Sequence, residues 1–216
     1  LKGERAILRG AIILAGGRSL RFGGNKALAN LRNKPLITYA VNAVLKITKK
    51  IVVVVKDNDE KEIYRKILPK NVMITSDILK IQSPLVGMLT GMNILNVNNV
   101  NYAIVLPCDC PFINTNVIKY LFKVANNGFD AVIPRWPNGC IEPLHSIYKI
   151  KVASQLIKEA LRKRELKILN VINQLERVAY VSVNELKRYD SKLLSFFNIN
   201  TLNDLKTAES ILNSFP

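Results

Sequence analysis

The chain has 216 residues, is 49% hydrophobic and 22% charged, and carries 32 basic against 16 acidic side chains, a formal net charge of +16. That size fits one domain over residues 1–216 with a core that needs no disulfide or metal staple, and the longest apolar runs fall far short of the roughly 20 residues that cross a bilayer. Cys108, Cys110 and Cys140 lack any C-x-x-C spacing and His145 is the only histidine, which argues against a zinc centre and for reduced thiols in a cytoplasmic protein without a leader.

Strand and helix patterns alternate along the chain. Ala6–Ile13 reads as a buried first strand ending near Leu14, and Pro35–Leu45 has apolar residues at helical spacing. Ile51–Val55 is continuous and β-branched, as in a strand covered on both faces. Glu60–Leu68 reads as a helix closed by Pro69, Val72–Thr75 as a short strand, and Pro84–Leu95 as a helix with proline in its first turn. Strand Tyr102–Leu106 leads to a helix capped by Asn114 or Thr115 and running to about Asn126. Asp130–Pro134 is a strand, and Leu144–Tyr148 a strand that returns along the sheet. Helices over Val152–Arg162 and Lys167–Leu175, a strand over Val178–Val183 and a helix over Asp204–Leu212 complete the series. This order predicts an α/β domain whose mostly parallel sheet has about seven strands.

The segment Leu14-Ala15-Gly16-Gly17-Arg18-Ser19-Leu20-Arg21-Phe22-Gly23-Gly24-Asn25-Lys26 is the most telling. Four glycines, two arginines and a lysine follow the first strand within thirteen residues. Glycine lets backbone approach a ligand closely, exposed N–H groups cradle anions, and flanking cations neutralise a polyphosphate. The spacing is neither a Walker A loop, since Ala27 follows Lys26, nor a G-x-G-x-x-G fingerprint, since Gly16 and Gly17 are adjacent. The plain alternative is a solvated basic turn.

Three further groups belong to the same reading. Asp109, in Pro107-Cys108-Asp109-Cys110-Pro111, lies just beyond the fourth strand, where open α/β sheets gather ligands. A lone carboxylate facing a triphosphate is a natural Mg²⁺ ligand, against an Asp that merely closes a turn. Asp77, after the third strand, reaches the same edge and could accept from the adjacent N1–H and amine of guanine, or be a solvated loop residue. Asn198 and Asn200 alternate, so extended backbone points both amides one way, toward a phosphate-bearing heterocycle or a metal's outer shell; helix capping before Asp204 is the alternative. Glu142 and His145 stand close enough for an acid/base pair, although a structural role is preferred. The basic clusters are dispersed and lack a nucleic-acid motif, so nucleic acid is the less favoured partner.

Together these motifs resemble a known family. The glycine loop resembles that of nucleotidyltransferases with the three-layer, Rossmann-like nucleotide-diphospho-sugar transferase fold. Pro84-Leu85-x-Gly87, Pro107-Cys108-Asp109-x-Pro111-Phe112, Glu142-Pro143-Leu144-x-x-x-Tyr148 and Asn198-x-Asn200-Thr201-x-x-Asp204-Leu205 narrow the likeness to molybdenum cofactor guanylyltransferases. The resemblance implies transfer of GMP from GTP to the terminal phosphate of molybdopterin, with release of pyrophosphate. On that pattern Leu14, Ala15 and Gly16, with Gly17 beside them, contact guanine and ribose. Arg21 and Lys26 hold phosphates, Asp77 binds the nucleotide, Asp109 binds Mg²⁺, and Asn198 and Asn200 face the pterin. Arg21, Lys26 and Asp109 are the expected catalytic set. Transient contact with a molybdoenzyme or another cofactor-biosynthesis protein is a further expectation, and a membrane is not. Asn25 stands where the family often has Asp, Lys56 stands where it has a nucleotide-binding Asn, with Asn58 nearby, and Asp77 is one residue out of register from Pro84-Leu85. Neighbouring readings are a guanylyltransferase for adenosylcobinamide phosphate, a cytidylyltransferase for the same pterin, a GTP-binding partner protein without catalysis, and a basic nucleic-acid-binding module.

Overall fold

Residues 7–17, 25–79 and 81–214 are described by the structure, a computed structural model. In chain order, β1 (Arg9–Leu14) leads to a 3-10 turn (Lys26–Leu28), a small hairpin β2 (Asn30–Leu31) and β3 (Lys34–Pro35), and α1 (Leu36–Leu45). There follow β4 (Ile51–Val55), α2 (Asn58–Ile67), β5 (Met73–Ser76), α3 (Pro84–Val97), β6 (Tyr102–Pro107), α4 (Thr115–Ala125) and β7 (Ala131–Arg135). After a 3-10 turn at Pro143–His145 come β8 (Ser146–Lys149), α5 (Ile150–Arg162), α6 (Ile168–Ile172), β9 (Val178–Ser182), α7 (Val183–Leu186), a 3-10 turn at Leu194–Phe196 and α8 (Leu202–Asn213).

Seven of these strands form one sheet in the order β5-β4-β1-β6-β8-β7-β9, and only β8 runs against its neighbours. The hydrophobic run Ile51–Val55 is buried along its whole length because both faces are covered. Alternate side chains go to opposite sides. Ile13, Val53 and Ile104 pack with Val41 of α1 and Phe122 of α4, whereas Ile12, Val52 and Val105 pack with Met88 of α3 and Ile157 of α5. The expected three-layer α/β architecture is therefore present. A third, smaller core of Leu31, Leu36, Ile199 and Ala208 binds the hairpin, α1 and α8 together.

α3 lies unusually close on β1. A Cβ on Gly91 would meet Ile12 Cγ2 at 2.7 Å, and one on Gly87 would meet Leu14 Cδ2 at 2.9 Å. The two glycines are one helical turn apart and clear one face for the strand.

Some boundaries differ from the sequence reading. Leu144 belongs to the 3-10 turn opened by Pro143, so the return strand starts at Ser146. The helix expected over Lys167–Leu175 is confined to Ile168–Ile172. Val183 opens α7 under a Ser182 cap instead of extending the last strand. The C-terminal helix starts earlier than Asp204, because Thr201 and Asp204 form a reciprocal capping box.

Candidate active site

The chain runs from β1 outward to β4 and β5, then returns to β6 on the other side of β1. β1 and β6 are therefore the point where winding reverses, and the crevice beyond their carboxyl ends is where such sheets take ligands. Register sets what meets there. Leu14 pairs with Val54 on one side and Pro107 on the other. Ala15 N then donates to Val54 O at 2.8 Å, and Cys108 N donates to Leu14 O at 3.2 Å. Asp77 N donates to Val55 O at 3.0 Å, which adds its side chain to the same edge.

Leu14, Ala15, Gly16, Gly17, Lys26, Asp77 and Asp109 all line one cleft of about 340 Å³. It adjoins a recess of about 520 Å³ bordered by Lys56, Asp57 and Asn58, with Gly16 and Asp77 common to both. Arg21 lies outside the described residues. The Lys56 side chain is exposed, 3.6 Å from Asp57, and Asn58 Oδ1 accepts from Ser76 Oγ at 3.1 Å.

At one end of the cleft Lys26 Nζ is ion-paired with Asp109 Oδ2 and donates to Asn200 Oδ1 at 3.0 Å. Asn198 is tied to the same place, since its Oδ1 accepts from Cys110 Sγ. The segment bearing both asparagines is fastened by backbone, with Ile199 N donating to Asp109 O at 3.0 Å. Ile199 is fully buried in the third core, while the amide oxygens of Asn198 and Asn200 accept from Cys110 and Lys26, the neighbours of Asp109 in sequence and in its ion pair.

At the other end Asp77 is only partly exposed, yet its Oδ1 is shielded from solvent and has no hydrogen-bond partner among the described residues. Burial pushes this carboxyl up to about 6, and the nearby Glu60 carboxylate adds to the shift. A buried acceptor without a donor is costly, and this one lies among the glycine-walled residues of the cleft.

Burial holds His145 down at about 4, against the opposing pull of Asp109, and its ring packs 5.3 Å from Phe196. Glu142 accepts from Trp136 Nε1 at 2.7 Å. Burial pushes the Cys108 thiol up to about 12 and Cys110 well above its ordinary value, so both remain protonated and poor metal ligands. No group of three or more His, Cys, Asp or Glu suited to a metal occurs among the described residues. The donor set at Asp109 thus fits a hard cation that takes one carboxylate and completes its shell from phosphate and water. No helix among those residues is long and apolar enough to cross a membrane.

Residues 11–178 match the model of the MobA-like NTP transferase domain. The chain belongs to the MobA-like NTP transferase family. It is accordingly a nucleotidyltransferase. A probable molybdenum cofactor guanylyltransferase of Methanosarcina mazei is 32% identical, covering 95% of this chain and 92% of its own. One of the same description from Methanocaldococcus jannaschii is 34% identical over 92% and 97%. The crystal structure of molybdopterin-guanine dinucleotide biosynthesis protein A from Archaeoglobus fulgidus superposes with a TM-score of 0.81 at 28% identity, covering 95% and 100%. The MobA-like chain therefore has its relatives' fold across nearly its whole length. Sequence reasoning did not single out Glu60, whose carboxylate accepts from Asn25 Nδ2 and Lys56 N; the signal was Asp57-x-x-Glu60, a capping pattern at the start of α2.

Proposed function

We propose that this chain transfers GMP from GTP to the terminal phosphate of molybdopterin carrying molybdenum, forming the guanine dinucleotide and releasing pyrophosphate. The observation that carries the reading is the division of one cleft: an unsatisfied buried carboxylate oxygen on Asp77 at one end, and the Lys26–Asp109–Asn200 cluster at the other. Guanine presents two adjacent donors, N1–H and the exocyclic amine, to such an acceptor. Cytosine and adenine do not, which favours GTP over CTP and ATP. Leu14, Ala15, Gly16 and Gly17 wall the base and ribose, where a side chain on Gly16 would crowd Lys56 N at 3.1 Å.

The acceptor phosphate oxygen attacks the α-phosphorus in line, and the bond to the bridging oxygen breaks as pyrophosphate leaves. Lys26 and Arg21 are assigned to the phosphates, where positive charge offsets what builds on the leaving group. Asp109 would hold a divalent cation, Mg²⁺ in our assignment, with phosphate oxygens and water, and that cation supplies further neutralisation of the triphosphate. Asn198 and Asn200, on the far side of Asp109, are assigned to the pterin substrate. The nucleophile is already anionic, so no general base is needed, which agrees with a buried, neutral His145.

The test is pyrophosphate release with GTP, CTP or ATP, Mg²⁺, and either molybdopterin or adenosylcobinamide phosphate. Release is expected only with GTP and the pterin. Release with CTP alone, with the cobinamide alone, or with no pair would overturn the assignment.

A further inference from the structure

The 3-10 turn that begins with Lys26 is held by its cap. Asn25 Oδ1 accepts from Ala27 N at 3.1 Å and from the Tyr64 hydroxyl at 3.2 Å, and Asn25 Nδ2 donates to Glu60 Oε1 at 3.1 Å. The second oxygen of Glu60 accepts from Lys56 N at 3.0 Å. Lys56 is the first residue after β4, and its backbone is what Gly16 packs against. Glu60 itself is fixed because its own N–H donates to Asp57 Oδ1 at 3.0 Å. One carboxylate thus joins the turn carrying Lys26 to the strand exit behind Gly16.

We propose that Glu60 is a positioning residue for triphosphate binding, acting through Asn25 on the turn that presents Lys26. This rests on the reading of the cleft as the GTP site.

The atoms allow only one pairing of residue types at a time. Both Asn25 Oδ1 contacts are with donors, so its Nδ2 must face an acceptor; Glu60 supplies that acceptor and a second one for Lys56 N. Glu60→Gln has one oxygen for two donors, and whichever way its amide turns, one N–H faces another. Asn25→Asp places two carboxylates about 3 Å apart, the separation of the present hydrogen bond. Together the two changes restore every bond. The introduced glutamine accepts from Lys56 N through its oxygen and donates its amide N–H to the introduced aspartate, which still accepts from Ala27 N and the Tyr64 hydroxyl. The double variant also keeps the native net charge.

The sign of one effect separates positioning from electrostatics. Removing a negative charge near a triphosphate should tighten binding if only charge matters. Positioning predicts the opposite.

The experiment measures GTP affinity by titration calorimetry in Mg²⁺ buffer for the native chain, N25D, E60Q and the double variant, with a melting curve of each to choose a temperature at which all are folded. Each single change is expected to weaken GTP about tenfold, as loss of one charged hydrogen bond would, and the double variant to return within about threefold of native. The inference is overturned if E60Q binds GTP as well as or better than native, or if the double variant loses the product of the two single effects. If the native chain itself binds no GTP, the reading of the cleft fails first and this inference falls with it.

Discussion

Lys26 and Asp109, 83 residues apart in sequence, are ion-paired at the mouth of the cleft, with both side chains largely shielded from solvent. The pair already brings together the cation and the carboxylate that the proposed reaction needs. On the proposed reading, binding a metal-complexed triphosphate would exchange partners, with Lys26 going to phosphate and Asp109 to the metal. Both groups are already largely shielded from solvent in the pair, so such an exchange would trade one charged partner for another.

Asp109→Asn should reduce turnover by about 10²–10³ or more while the fold persists, since it removes the charge that would hold the cation. Pyrophosphate release and circular dichroism, taken together, check this. Turnover near the native level would remove Asp109 from the chemistry.

The raised Asp77 carboxyl gives two effects of opposite sense. A carboxyl whose folded value is about 6, above its ordinary 3.8, contributes stability that is fully present below about pH 4 and is lost as pH rises through about 6. GTP should instead bind more tightly as pH rises through the same window, because the ionised form accepts both guanine donors. Asp77→Asn should therefore melt no lower than native at pH 7.5, yet bind GTP at least tenfold more weakly and without that pH dependence. Calorimetric titrations from pH 5 to pH 8 with GTP and ITP make the check; native discrimination retained by the variant would exclude Asp77 from base recognition.

Asn198→Ala and Asn200→Ala should raise KM for the pterin acceptor severalfold. They should differ on GTP: Asn200 is bonded to Lys26 and Asn198 is not, so only the Asn200 variant should also weaken the nucleotide. Steady-state kinetics with each substrate varied in turn would show it, and an unchanged acceptor KM in both variants would remove them from that role.

Gly91→Ala should destabilise the fold by about 1–3 kcal/mol, because the new methyl would sit 2.7 Å from Ile12 Cγ2 and push α3 off β1. Gly17→Ala, with nothing within 4 Å of the added carbon, should melt close to native. Equal melting temperatures for the two variants would show that the helix has slack.

Much of this was legible from local pattern. Ile51–Val55 announces a doubly covered strand because five β-branched residues in a row have no polar face to expose. The cap at Asn114 follows from a side chain acting on backbone two residues away, whereas the Thr201–Asp204 box starts α8 two residues before the expected Asp204. The β2–β3 hairpin escaped notice because its turn uses Arg32 and Asn33 at positive φ, 47° and 61°, where glycine would have signalled it. Leu144 looked like strand by hydrophobicity, but Pro143 sets a 3-10 turn first. Glu60 stayed hidden for a different reason: its partner Asn25 is 35 residues upstream, and only the parallel pairing of β1 with β4 brings the loop and α2 together.

The backbone bond from Ile199 to Asp109 fastens a late segment of the chain to an early-built site. Every strand of the main sheet precedes that segment in the chain. The strands that position Lys26 and Asp109 are thus all complete in sequence before the asparagine flank, which docks onto them through that bond. On the proposed reading, competence toward the acceptor depends on the docking of those late residues as well as on the sheet itself.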